Sequence, residues 1–178
     1  IRNCLLSQNI ILPDDIVASN EFTSNTVSIK HVESLVEQQK EGGPVLVPNL
    51  TVKNLNPSTF EKMRVPVAKT LLSTKVSSAL LYCISNGAIP QEAKATSWFI
   101  EQISRWYDIM QSKHKNESLD QTDVDRVAHL RDMLQWFPAL RFTGRQQWKP
   151  IQTGLQLSTT SALELCEDLS SRGLIDFL

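Results

Sequence analysis

The aspartates Asp120, Asp123 and Asp125 lie close together in this 178-residue sequence. Such carboxylates could begin a calcium-binding loop, but the third ligand spacing, the central glycine and the terminal glutamate of that loop are missing. Negative side chains also stabilise the first turn of a helix through its dipole. We therefore expect these aspartates to favour the start of a helix.

Sulfur and imidazole groups are scattered along the chain. They comprise three cysteines and three histidines, namely Cys4, Cys83, Cys166, His31, His114 and His129. The number of cysteines is odd and no CxxC pair occurs, so neither a disulfide framework nor a structural zinc site is expected. This cysteine usage favours an intracellular protein.

The motifs of common catalytic and nucleotide-binding sites are missing from the sequence. It has no GxxxxGK[ST] or GxGxxG phosphate loop, no HExxH helix and no GxSxG elbow. The residues alone therefore assemble no catalytic centre, and whether the chain is an enzyme stays open.

Charge is distributed unevenly along a chain whose net charge is −1. Residues 51–115 contain nine basic and four acidic side chains, a net charge of +5. The middle of the chain could thus present a positive face to phosphates. The alternative is a solvated helical surface whose lysines are balanced by neighbouring acids.

The hydrophobic pattern predicts an all-α fold of about five helices with little strand. Apolar residues make up 41% of the chain, and only 6 residues are glycine. The expected helices begin near Ser28, at Asn56-Pro57, after Pro90, near Val124 and at Ser158–Ser161. The second is expected to run to Ile84, with Pro66 kinking it or splitting off its first turns.

Further expectations concern packing, loops and the chain ends. The 57–84 helix should pack on the 92–111 helix through Trp98, Phe99, Ile103 and Met110, and residues 138–157 should form a structured loop. No apolar stretch is long enough to span a membrane. The chain begins at Ile1 without a signal peptide and ends in an apolar tail, 173–178. We interpret it as one domain, 1–178, within a longer protein.

Three segments resemble the P-element-type DNA transposases, which include the THAP-domain transposases. They are KMRVPVAKTLLS at 62–73, ATSWF at 95–99 and WYDIMQS at 106–112. The segments at 150–155 and 173–178 also fit the family pattern. The resemblance covers nearly all of the chain, and its specific motifs lie between residues 56 and 112.

The resemblance implies a helical GTP-binding domain inserted into an RNase H-like catalytic core. In this family GTP, with or without Mg²⁺, is a structural cofactor for DNA synapsis and strand cleavage. The parent protein would then be a nuclear, homo-oligomeric nucleotidyltransferase that acts on transposon-end DNA. Its catalytic triad and catalytic metal would lie outside this fragment.

The resemblance also implies six nucleotide-contacting residues: Arg64, Val65, Ser73, Tyr107, Asp108 and Gln111. The resemblance implies that Arg64 contacts phosphate, that Tyr107 stacks on the base and that Asp108 accepts hydrogen bonds from guanine. Antiparallel packing of the two middle helices should bring the two groups of residues together. Gln111 replaces a family Asn, and a family lysine falls near Asn49.

A second function is compatible with the same residues. The chain could be a helical protein-interaction or scaffold domain of a domesticated transposase that no longer binds nucleotide. Tyr107 could then be a core residue, and Asp108 could pair with Arg105 or a lysine. A free-standing enzyme is disfavoured because no catalytic constellation exists.

Overall fold

A computed structural model describes residues 1–40, 42, 44–112, 119, 123–144 and 149–172. Within them the chain forms nine α-helices, one 3-10 turn at Glu61–Met63 and three two-residue strands. The helices are α1 (Arg2–Ser7), α2 (Asp14–Ser19), α3 (Ile29–Lys40), α4 (Val52–Leu55), α5 (Val65–Leu71), α6 (Thr74–Ser85), α7 (Ala93–Met110), α8 (Val124–Trp136) and α9 (Pro150–Ser171). The strands are β1 (Ile10–Ile11), β2 (Thr26–Val27) and β3 (Arg141–Phe142). This confirms the mostly helical, irregular fold, although the helices are shorter and more numerous than expected.

Helices α3, α7 and α8 confirm the predictions made from apolar periodicity. Asp123 caps α8 because its carboxylate accepts a hydrogen bond from the Arg126 N–H at 3.2 Å, and Asp125 lies in the first turn. The aspartates thus mark a helix start, as expected, while Asp120 and most of the polar link at 113–122 lie outside the described residues. The apolar tail at 173–178 also lies outside them.

The single helix expected over 57–84 is wrong, because the chain forms a 3-10 turn followed by α5 and α6. Pro66 lies in the first turn of α5, where a missing N–H costs no helical hydrogen bond, so it does not kink a helix. It lies at the start of α5, which is separate from the 3-10 turn before it, in agreement with the alternative that Pro66 splits off the first turns. Ser73 has extended backbone angles (φ −120°, ψ 152°) and is the N-cap of α6. Asn56 follows α4 as its C-cap and does not begin a helix.

The loop expected over 138–157 is also wrong in its second half, because α9 begins at Pro150. Proline suits this first helical position, and the Gln152 side chain accepts from the Lys149 N–H at 2.8 Å. The Ser158–Ser161 segment, expected to begin the last helix, therefore lies inside α9. The first half of the loop contains the short strand β3.

The described chain divides into two compact units, and whether they act as the one domain expected stays a prediction. The first unit comprises Ile1–Ser104 with β3, and the second comprises the end of α7 from Arg105 with α8 and α9. In the first unit β1 is the central strand, and Ile10 pairs antiparallel with Val27 and with Phe142. The small sheet thus joins residues 10–11 to residues 141–142, which are far apart along the chain.

Helices α6 and the first half of α7 pack together within the first unit. The Ser77 and Ser97 hydroxyls lie 3.0 Å apart, and Ser97 also donates to the Ser77 carbonyl at 2.9 Å. Phe99 is fully buried, and its expected contact with the preceding helix stays a prediction. The Trp98 ring makes an edge contact with Phe22 at 6.0 Å.

The second unit has its own apolar core between α7, α8 and α9. Its buried members are Ile109, Leu119, Val127, Leu130, Leu163 and Cys166. The Trp106 indole donates to the Thr159 hydroxyl at 2.9 Å, which ties α7 to α9. Gln152 is fully buried and donates to the carbonyls of Pro138 and Leu140 at 3.0 and 2.9 Å.

Three further observations bear on the classes of site considered above. All three cysteines are free. Among the residues described, no cluster of His, Cys, Asp or Glu could hold a metal ion. None of the described helices is long and apolar enough to cross a membrane.

Candidate functional site

The turn before Arg64 places two of the six candidate residues at the surface of the first unit. Arg64 is the N-cap of α5, with an extended backbone (φ −83°, ψ 118°), and its side chain is exposed. Val65 follows as the first helical residue and is 52% exposed. Arg64 is therefore accessible to an anionic ligand.

Two side chains of α1 support this turn from a distant part of the sequence. Arg2 is buried, and its guanidinium donates to the Glu61 carbonyl at 2.9 Å. Asn3 donates to the Lys62 carbonyl at 3.3 Å. Because these carbonyls lie three and two residues before Arg64, α1 holds the turn that leads to the candidate phosphate-binding side chain. Sequence reasoning missed both residues, since nothing in the local pattern relates positions 59 apart.

Charge in this region is strongly positive. Residues 51–80 contain a single acid, Glu61, and five basic side chains that are all exposed. The basic residues are Lys53, Lys62, Arg64, Lys69 and Lys75. The Glu61 carboxylate accepts from the Ser58 N–H at 2.9 Å. This hydrogen bond, with smaller contributions from the charges of Lys53 and Arg64, lowers the Glu61 pKa. The segment thus offers cations to a phosphate group.

Ser73 lies at the break between α5 and α6. Its carbonyl accepts the first hydrogen bonds of α6, from the N–H groups of Val76 and Ser77 at 3.0 and 3.1 Å. Its half-buried hydroxyl donates to the Thr70 carbonyl at 3.0 Å. The hydroxyl oxygen keeps acceptor capacity for a further donor.

The other three candidates lie at the end of α7 in the second unit, and two of them share one face. Ile109 is buried, and Trp106 and Met110 pack against the same core, so these positions define the inner face. Asp108 and Gln111 are exposed and lie three residues apart, which places them on a common outer face.

Tyr107 is half-buried and is one helical turn before Gln111, so it borders this outer face. It is therefore not a core side chain of the kind that Ile109 is. The Gln111 N–H donates to the Tyr107 carbonyl at 3.0 Å, which completes the last turn.

The position of Asp108 is electrostatically unusual. It lies in the last turn of α7, where the helix dipole is negative and no basic residue is present. A carboxylate at this end of a helix is unfavourable, whereas a cation would be stabilising by about 0.3–1 kcal/mol. Arg105, considered as its partner, donates to the Asp125 carbonyl at 3.2 Å. The dipole of α7 therefore does not favour the charge of Asp108.

The six candidates divide between the two units. Arg64, Val65 and Ser73 belong to the first unit, and Tyr107, Asp108 and Gln111 belong to the second. The expectation that the two groups meet at one site stays a prediction. Within each unit the residues have the exposure that ligand contact requires.

The fold and these exposed groups define an irregular helical domain with a cationic turn and an acidic, aromatic helix end. Residues 1–122 match the family described as TNP-like, GTP-binding insertion domain, and this range contains all six candidates. The chain belongs to this family, which confirms the resemblance found in its sequence. No curated protein matches the chain.

A solved structure has the same fold. It is the Drosophila P element transposase strand transfer complex, with a TM-score of 0.76 and 16% sequence identity. The match covers 99% of this chain and 39% of that transposase chain. The present chain thus spans well under half the length of the transposase it resembles in fold.

Proposed function

We propose that this chain binds GTP as a structural cofactor and helps to position transposon-end DNA within the synaptic complex of a longer P-element-type transposase. The observation that carries the proposal is the family match over residues 1–122. The chain's own residues fit the ligand, because they supply exposed cations, a half-buried tyrosine and an exposed carboxylate.

The base and the phosphates of GTP each have a matching side chain. The Asp108 carboxylate can accept from guanine N1–H and N2–H together, which adenine does not offer, and a charged hydrogen bond contributes about 1.5–3 kcal/mol. Tyr107 can stack on the base for about 1–3 kcal/mol. Arg64 can bind phosphate with two parallel hydrogen bonds. A Mg²⁺ ion, where present, would be bound largely by phosphate oxygens.

The proposal places strand cleavage elsewhere in the parent protein. The parent would be a nuclear, homo-oligomeric DNA transposase of the THAP-containing kind, whose RNase H-like core carries the catalytic residues and metal. This domain would contribute nucleotide binding and DNA positioning, and its own residues would catalyse no step. Upstream aspartates and a downstream glutamate in the extended reading frame would support this arrangement.

Calorimetric titration of the chain with GTP and ATP tests the proposal. We expect GTP to bind more tightly than ATP, and Arg64→Ala to weaken both nucleotides alike, because phosphate contacts carry no information about the base. Arg131→Ala is the matched control, since Arg131 forms an exposed ion pair with Glu167 at 3.3 Å. Equal affinity for GTP and ATP would contradict guanine recognition.

The second candidate function is protein interaction by a domesticated transposase domain. An exposed apolar groove in the first unit, described below, favours it. Absence of GTP and GDP binding at millimolar concentration in both the chain and the full-length protein would support this alternative. Binding by the full-length protein alone would show that the catalytic core supplies a missing contact.

A further inference from the structure

An apolar groove of about 490 Å³ lies between the end of α3, the segment 44–50 and α4 in the first unit. We name it the α3–α4 groove. Its lining residues are Val36, Gln39, Lys40, Val45, Val47, Pro48, Leu50, Thr51, Val52 and Lys53. None of the six candidate nucleotide residues is among them. Lys53 is shared with the cationic segment 51–80, and the other lining residues belong to neither group of candidates.

The exposure of its aliphatic walls distinguishes the groove from ordinary surface. Val36, Val47 and Leu50 are at most 4% exposed and form the floor, whereas Val45 and Val52 are 62% and 45% exposed. Isolated surface valines need no explanation, but aliphatic side chains gathered around a concave site are typical of interaction surfaces.

Hydrogen bonds hold the walls of the groove in place. The Gln39 side chain accepts from the Val47 N–H at 2.8 Å, which attaches the 44–50 segment to α3. The Leu50 N–H donates to the Val47 carbonyl at 3.0 Å. The Thr51 N–H donates to the Asn54 side chain at 2.9 Å and fixes the start of α4. A preformed groove loses little conformational entropy when it binds a partner.

The charged residues of the groove are both lysines, Lys40 and Lys53, and none of its described lining residues is acidic. Within the described part of the chain neither lysine forms an ion pair. Glu61 is near enough to Lys53 to feel its charge, but its carboxylate is bonded to Ser58. Lys40 also lies in the last turn of α3, a favourable position for a cation. The lining of the groove therefore combines apolar walls with two positive charges and no negative one.

We propose that the α3–α4 groove binds an acidic, amphipathic segment of a partner protein. Its aliphatic or aromatic side chains would lie between Val45 and Val52, and its carboxylates would lie near Lys40 and Lys53. Charge complementarity selects this partner over a basic segment. Duplex DNA is a poorer fit, because phosphates would leave the valine walls uncovered and meet only two cations.

Fluorescence anisotropy with labelled synthetic peptides tests the proposal on the 178-residue chain. The probe is a short peptide of leucines and glutamates. One matched peptide carries lysine in place of glutamate, and another carries serine in place of leucine. We expect the acidic peptide alone to bind, and to bind more weakly as salt is added.

A charge-reversal variant provides the decisive comparison. Lys40→Glu with Lys53→Glu should weaken the acidic peptide about tenfold and transfer preference to the lysine peptide, since two exposed ion pairs are replaced by repulsion. Val45→Ser with Val52→Ser should weaken both peptides. Lys30→Glu with Lys94→Glu is the control, because these lysines are exposed in the same unit outside the groove.

Several results would overturn the proposal. They are equal binding of the acidic and lysine peptides, an equal loss in the Lys30/Lys94 control, and no binding of the acidic peptide at millimolar concentration. Displacement of the peptide by duplex DNA, with no effect of the valine substitutions, would show general anion attraction instead. Thermal unfolding of every variant establishes that each remains folded.

Discussion

Asp108→Asn tests guanine recognition most directly. The substitution keeps the size of the side chain, removes its charge and replaces one of two acceptor oxygens with a donor NH₂ group. One of the two guanine N–H groups then loses its acceptor. The preference for GTP over ATP should fall, while binding of ATP should change little.

The expected loss follows from the exposure of Asp108. A hydrogen bond to a charged group contributes about 1.5–3 kcal/mol, and water competes with it at an exposed position. We expect a loss of about 1.4–2.8 kcal/mol, which is about 10- to 100-fold in the ratio of GTP to ATP affinity. The helix-dipole contribution to stability should rise slightly, because the change removes a negative charge from the negative end of α7.

Calorimetry with both nucleotides and urea unfolding of each variant measure these two effects. Asp132→Asn is the matched control, because Asp132 is an exposed aspartate on α8 outside the candidate set. A wild-type preference for GTP that persists unchanged in Asp108→Asn would refute the assigned role. An equal loss in Asp132→Asn would show a general effect of charge instead.

Three further predictions concern stability, pH and DNA. Gln152→Leu should lower the free energy of unfolding by about 2–4 kcal/mol in urea denaturation, because it leaves the Pro138 and Leu140 carbonyls without their donor. The exposed change Gln135→Leu should cost less than about 0.5 kcal/mol. Burial lowers the pKa of His31 more than the charge of Glu92 raises it, so the neutral ring is favoured in the folded state. The Nδ1 atom of His31 lies 2.7 Å from the Thr96 hydroxyl oxygen. The free energy of unfolding should therefore decrease as pH falls below about 6.5. Urea denaturation at several pH values should show a weaker pH dependence of this free energy for His31→Gln than for the wild type. Duplex DNA should bind the chain weakly and salt-sensitively in a filter or anisotropy assay, since its net charge is −1; tight, salt-insensitive binding would contradict this.

Short-range pattern accounts for the parts of the fold that the sequence predicted well. Helices α3, α7 and α8 have apolar residues at helical spacing and clear end signals, and each lies close to its expected position. The same periodicity continued across Ser73 and concealed the break between α5 and α6. A serine can lie within a helix or cap one. Here Ser73 caps α6, and the two residues before it, Leu71 and Leu72, are buried.

In the candidate site, too, the sequence predicted local features and did not predict contacts between distant residues. Asp108 and Gln111 could be assigned to one helix face from their spacing alone, and the structure agrees. The support of the Arg64 turn by Arg2 and Asn3 could not be predicted, because it depends on hydrogen bonds to backbone carbonyls, which every residue carries.

By itself, the sequence determined the helical class, the main helical segments and the family motifs, because each is encoded by residues close together along the chain. The tertiary structure decided where those segments break, which side chains support the Arg64 turn, and that Val36, Val45 and Val52 line one groove. These features depend on contacts between distant parts of the chain. Their free energy comes from burial and hydrogen bonding in the folded state, which local sequence pattern does not encode.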